Sequence, residues 1–91
     1  MSLLGAAEIR ELAAALDLKP SKSLGQNFYH DDNTCLKIVR TAGVQPDDVA
    51  LEIGPGLGSL TLAMMQEAKA VVVVEIDKRL ADQLPITAAK H

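Results

Sequence analysis

A chain of 91 residues, 48% hydrophobic and with a formal net charge of −3, holds at most one small domain. It is too apolar for a disordered tail, and it lacks the basic surplus of a sequence-independent nucleic-acid binder. One cysteine, Cys35, excludes an internal disulfide and fits a reducing compartment; with no signal-peptide pattern and no membrane-length apolar run, the expected location is cytoplasmic.

Residues 6–16 (AAEIRELAAAL) set Ile9, Leu12, Ala13 and Leu16 on one helical face, and Lys19-Pro20 is expected to end that helix. The run SKSLGQNFYHDD is polar and reads as an ordered loop. Asp32 or Asn33 is expected to cap a second helix that reaches about Ala42, with Leu36, Ile38 and Val39 inward and Gly43 at its C-terminal end. VQPDD is a turn, and residues 49–53 form a short apolar strand. A glycine-rich loop follows, then a helix from Ser59 to about Ala68. The run Val71 to Ile76 is nearly all β-branched, as expected for a strand buried on both faces of a parallel sheet. Asp77 is placed to cap a last helix, which Pro85 is expected to stop or kink.

Strand, glycine turn, helix and strand in that order predict a βαβ unit and the opening of a doubly wound α/β sheet. The chain divides accordingly into residues 1–48, with two helices and the loop around Gln26-Asn27-Phe28, and residues 49–91, an incomplete βαβ unit. Two parallel strands leave broad apolar faces bare, so the chain is expected to be the first part of a larger fold.

The stretch LEIGPGLGSLT carries Gly54, Gly56 and Gly58 at alternate positions, with Glu52 just before them. Glycines after a strand let the backbone turn sharply and bring its N–H groups close to a ligand at the next helix's positive end. A dinucleotide fingerprint wants glycine or alanine where Ser59 stands. The observed E-x-G-x-G-x-G spacing instead fits the S-adenosylmethionine loop of class I methyltransferases. A plain strand-to-helix turn without ligand is the competing reading. Glu75 lies about twenty residues beyond the first glycine, where an acid meets a ribose diol. Dehydrogenases use the same device, so Glu75 points to adenosine without choosing the cofactor. Glu52 is a candidate for the methionine end of the cofactor or a simple anchor for the loop.

Gln26-Asn27-Phe28 upstream, then EIGPGLG and VEID, together resemble the ribosomal RNA adenine-N6,N6-dimethyltransferase family over about Leu18 to Leu84. The 16S branch is nearer than the macrolide-resistance 23S branch. The resemblance implies a Rossmann-like class I S-adenosylmethionine-dependent methyltransferase fold, here only its first two strands. It implies S-adenosylmethionine as cofactor, with Gln26, Asn27 and the backbone of Tyr29 at its amino-acid end. Gly54 and Gly56 would form its glycine-loop side, Glu75 would hold the ribose and Ile76 would lie against adenine. Tyr29 stands where the family commonly has leucine, a change that a backbone contact tolerates. The implied reaction is dimethylation of N6 on two adjacent adenosines in a hairpin near the 3′ end of 16S rRNA, during small-subunit assembly. Family members flip the adenine out and accept its amino hydrogens through an Asn-Leu-Pro-Tyr-type segment. That segment is absent from these 91 residues, so cofactor-binding parts are expected without a catalytic centre.

Other candidates read as structural. His30, Asp31 and Asp32 are adjacent and do not converge on one metal ion, so no metal is expected. Cys35 reads as a small buried hydrophobe, and Met64 and Met65 as helix packing. Lys19 and Lys22 are two cations beside the loop, equally suited to phosphate and to solvent. A nicotinamide-dependent oxidoreductase and a non-catalytic RNA-binding module of ribosome assembly are the alternatives from other classes.

Overall fold

A computed structural model describes residues 4–17 and 32–91. Its elements are α1 (Ala6–Ala15), α2 (Asp32–Thr41), β1 (Val49–Ile53), α3 (Ser59–Glu67), β2 (Ala70–Val74) and α4 (Lys78–Lys90). β1 and β2 pair in parallel, from Val49 opposite Ala70 to Ile53 opposite Val74, with α3 as the crossover. The βαβ unit stands where the strand, glycine and helix signals put it.

Helix α3 is the centre of the packing. Leu62 joins Leu4, Ile9, Leu57 and Leu80 in one buried cluster, while Ala63 and Met64 join Cys35 and Val39 in another. One helix thus binds α1 and α4 through one side and α2 through the other. Cys35 is buried and Met65 packs at the margin of the first cluster, as their helical positions predict.

Helices α1 and α4 run antiparallel and are pinned at both ends. At one end Arg79 Nη1 donates to the carbonyls of Leu16 and Asp17 at 3.0 and 3.1 Å. At the other, Glu8 Oε2 lies 2.9 Å from His91 Nε2 and 3.3 Å from Lys90 Nζ.

Four expectations need correction. First, β2 is not buried on both faces. Ala50, Glu52, Val71 and Val73 are half-buried beneath the helices, but Leu51, Ile53, Val72 and Val74 on the opposite face are exposed, Ile53 by 77%. Among the described residues no third layer covers that face. Second, Ile38 does not face inward. The buried stripe of α2 is Cys35 and Val39, four residues apart, and Ile38 falls at its margin, 41% exposed.

Third, Pro85 does not stop α4, which continues to Lys90. Proline removes one intrahelical bond, but Leu80, Leu84 and Thr87 are buried at i, i+4 and i+7 while Pro85 itself is exposed. Packing along that stripe holds the helix on both sides of the proline. Fourth, α1 ends at Ala15, one residue short of the expected 6–16, and Asp17 beyond it adopts a left-handed φ of 55°; Lys19-Pro20 lie outside the described residues. The second helix already includes Asp32, and Gly43 leaves it with φ 76°, as expected of a C-terminal glycine.

Candidate functional site

The loop between β1 and α3 is built by backbone conformations that suit glycine. Gly54, Gly56 and Gly58 all have positive φ, at 72°, 60° and 101°. Gly58 is also crowded, since a Cβ there would sit 2.6 Å from Leu84 Cδ1. Gly54 differs: a Cβ there would meet nothing within 4 Å, so its outer side is open. The Gly54 N–H continues the ladder to Val74 O at 2.8 Å, which ties the start of the loop to the end of β2.

Glu75 follows directly on β2 and reaches back to this loop. Its Oε1 accepts the Gly56 N–H at 3.2 Å and its Oε2 accepts the Asp77 N–H at 3.1 Å. The carboxylate is therefore oriented at the lip of the glycine turn by two backbone donors. Ile76 beside it is 98% exposed, a broad apolar side chain presented to solvent at the same lip. Asp77 caps α4 by accepting the Arg79 N–H at 2.9 Å, and its side chain pairs with the Arg79 guanidinium at 3.0 Å. That arginine holds the Asp77 carboxyl below its ordinary pKa.

Glu52 lies on β1 beneath the loop rather than at its open side. Its carboxylate accepts a hydrogen bond from Thr61 Oγ1, in the first turn of α3. Burial pushes the Glu52 pKa up, and the Thr61 hydroxyl opposes that rise. This contact favours the anchoring reading of Glu52, because it closes the strand-to-helix turn from below.

The structure thus brings together Gly54, Gly56, Glu75 and Ile76, and places Glu52 one layer deeper. Gln26, Asn27 and Tyr29 lie outside the described residues. A groove of about 530 Å³ runs beside β2, lined by Val71, Val73, Glu75, Met65, Leu84 and Pro85. None of the loop glycines lines it, so its volume belongs to the uncovered edge of the sheet, and the loop site is the surface outside Gly54.

The chain is matched by known proteins in sequence. The family described as ribosomal RNA adenine dimethylase matches residues 18–90. The chain belongs to that family. It is 62% identical over 88 residues to the ribosomal RNA small subunit methyltransferase A of Streptomyces avermitilis, covering 97% of this chain and 30% of the relative. The corresponding protein of Streptomyces coelicolor is 60% identical over 88 residues, with 97% and 31% covered. That of Mycobacterium avium is 56% identical over 89 residues, with 98% and 28% covered. The chain therefore spans about 30% of the length of these relatives.

Three residues around this candidate site escape a reading of the sequence alone. Thr61 is the partner of Glu52, nine residues away across the turn. Leu57, between two of the glycines, is the loop's buried anchor at 3% exposure. Arg79 connects Asp77 to the end of α1, some sixty residues earlier in the chain. Of their partners, only Asp77 and Glu52 carried a local signal, Asp77 as a helix cap. Among the described residues no group of acids, histidines or cysteines is placed to hold a metal, and no helix is long and apolar enough to cross a membrane.

Proposed function

We propose that these residues form the S-adenosylmethionine-binding opening of a class I methyltransferase domain, within a protein that dimethylates N6 of two adjacent adenosines near the 3′ end of 16S rRNA during small-subunit assembly. The family membership and the names of the relatives support rRNA adenine methylation. The observation that carries the cofactor reading is the Glu75 carboxylate, oriented at the lip of the glycine loop by the Gly56 and Asp77 N–H groups.

The residues present suit that cofactor. A pre-oriented carboxylate accepts hydrogen bonds from both hydroxyls of a ribose and repels a 2′-phosphate. Ile76 offers an apolar surface for the adenine beside it. The open side of Gly54 admits a ligand where any other residue would place a Cβ. The start of α3 turns its positive end toward the same loop. S-adenosylmethionine, when bound, supplies an electrophilic methyl group on its sulfonium. In this reading Gln26, Asn27 and the Tyr29 backbone complete the amino-acid end. The base-binding and proton-accepting groups belong to the part of the domain that follows these residues, and so does the cover for the bare sheet face.

Calorimetry of the full-length protein with S-adenosylmethionine and with NAD tests the cofactor assignment. Binding of the first and not the second is expected. Binding of NAD alone would overturn the reading in favour of an oxidoreductase.

A further inference from the structure

We propose that Arg79 is a positioning residue for the cofactor site: it fixes the end of α1, from which the chain proceeds toward Gln26 and Asn27, to the acid that closes the glycine loop. The inference rests on the cofactor reading above and concerns a residue to which that reading gives no role. The family match begins at residue 18, so α1 precedes it altogether.

The contacts form an unbroken series. Arg79 Nη1 donates to Leu16 O at 3.0 Å and to Asp17 O at 3.1 Å. Its Nη2 donates to Asp77 Oδ2 at 3.0 Å and its Nε to Asp77 Oδ1 at 3.3 Å. The Asp77 N–H donates to Glu75 Oε2, and Glu75 Oε1 accepts from the Gly56 N–H. Arg79, Asp77 and Glu75 therefore lead from the carbonyls that follow α1 to the Gly56 N–H of the glycine loop. A guanidinium fork grips a carboxylate with two nitrogens while it donates to backbone carbonyls, a geometry that the single ammonium of lysine does not reproduce.

Packing supports the same coupling from behind. Leu57 of the loop shares a buried cluster with Ile9 of α1 and Leu80 of α4, the residue after Arg79. Helix α1 thus shares the loop's buried cluster through Ile9, and its C-terminal end is tied through Arg79 to Asp77, whose N–H reaches Glu75. The Arg79 side chain is half exposed, so its ion pair adds little to overall stability. A positioning role and a merely stabilising one therefore differ in what they move.

The test compares full-length Arg79→Gln, Arg79→Lys and Glu75→Ala, with the double variant Glu75→Ala/Arg79→Gln. Calorimetry with S-adenosylmethionine should show Kd raised about tenfold by Arg79→Gln at a nearly unchanged melting temperature, the scale of coupling within one hydrogen-bonded network. Arg79→Lys should recover part of that loss. In the Glu75→Ala background, Arg79→Gln should change Kd by less than about twofold, because its route to the site is already broken. Hydrogen exchange of the cofactor-free protein gives a readout independent of binding: the Gly56 and Asp77 amides should exchange faster in Arg79→Gln. Unaltered exchange at both amides, or full additivity in the double variant, would overturn the proposal. Failure of the unsubstituted protein to bind the cofactor would instead refute the functional reading, and the exchange data would still decide whether Arg79 couples α1 to the loop.

Discussion

Glu75 uses one carboxylate oxygen on the Gly56 N–H and the other on the Asp77 N–H, so its orientation is set before a ligand arrives. In the full-length protein Glu75→Ala should weaken S-adenosylmethionine binding by about 1–3 kcal/mol, the loss expected for hydrogen bonds to a charged group. Calorimetric affinity equal to that of the parent, in a folded variant, would remove Glu75 from the site. Glu52 answers to a different balance. Burial raises its pKa above the ordinary carboxylate value, so folding disfavours its charged form. That cost is absent below the unfolded pKa and complete once pH has risen past the folded value. Glu52→Gln removes the charge and keeps an oxygen for the Thr61 hydroxyl, so at pH 7 the melting temperature should stay level or rise. Thr61→Val takes away the donor and leaves the carboxylate half-buried without it, and should cost about 1–3 kcal/mol in denaturant melts. If Glu52→Gln proved the more damaging of the two, the anchoring account of Glu52 would fail.

The order β1–loop–α3–β2 was legible because its signals are local: a β-branched run, glycines at alternate positions, and Asp77 ahead of a helix. What escaped depends on partners distant in the chain. Pro85 is tolerated in α4 because Leu84 and Thr87 are buried around it, and Ile38 is exposed because α3 meets α2 along Cys35 and Val39. No window of sequence around either residue contains that information. The same holds for Thr61 and Arg79, whose roles arise only once the turn has closed and α1 lies along α4. The clamp between those helices also predicts a pH dependence. The His91 hydrogen bond and, with it, Lys90 hold the Glu8 carboxyl below its ordinary value. A lowered folded pKa means that Glu8 stabilises above its unfolded pKa and loses that contribution as pH falls through the folded value. Thermal melts between pH 7 and pH 3 should therefore fall less steeply for Glu8→Gln than for the parent. Parallel slopes would show that the clamp contributes nothing.

At the scale of the molecule, one face of a two-stranded sheet presents Val49, Leu51, Ile53, Val72 and Val74 to solvent. Two strands with an apolar face that broad seldom stand alone. The 91 residues by themselves should melt broadly or self-associate in light scattering, and a monodisperse monomer with a sharp, high-temperature transition would show that the core is complete without further strands. The upstream loop residues Gln26, Asn27 and Tyr29 remain a proposal from resemblance, since they fall outside the described residues. In the proposed function the glycine loop and Glu75 hold the S-adenosylmethionine, and residues elsewhere in the full-length protein pass its methyl group to rRNA. Binding groups that stabilise ground and transition states alike give affinity without rate, so these residues alone should transfer nothing. The decisive measurement is tritium transfer from labelled S-adenosylmethionine to undermethylated small ribosomal subunits, with the full-length protein and the 91-residue chain side by side. The account predicts label in N6,N6-dimethyladenosine near the 3′ end of 16S rRNA with the full-length protein and none with the short chain. Label in 23S rRNA, DNA or protein instead, or any incorporation by the short chain, would contradict it.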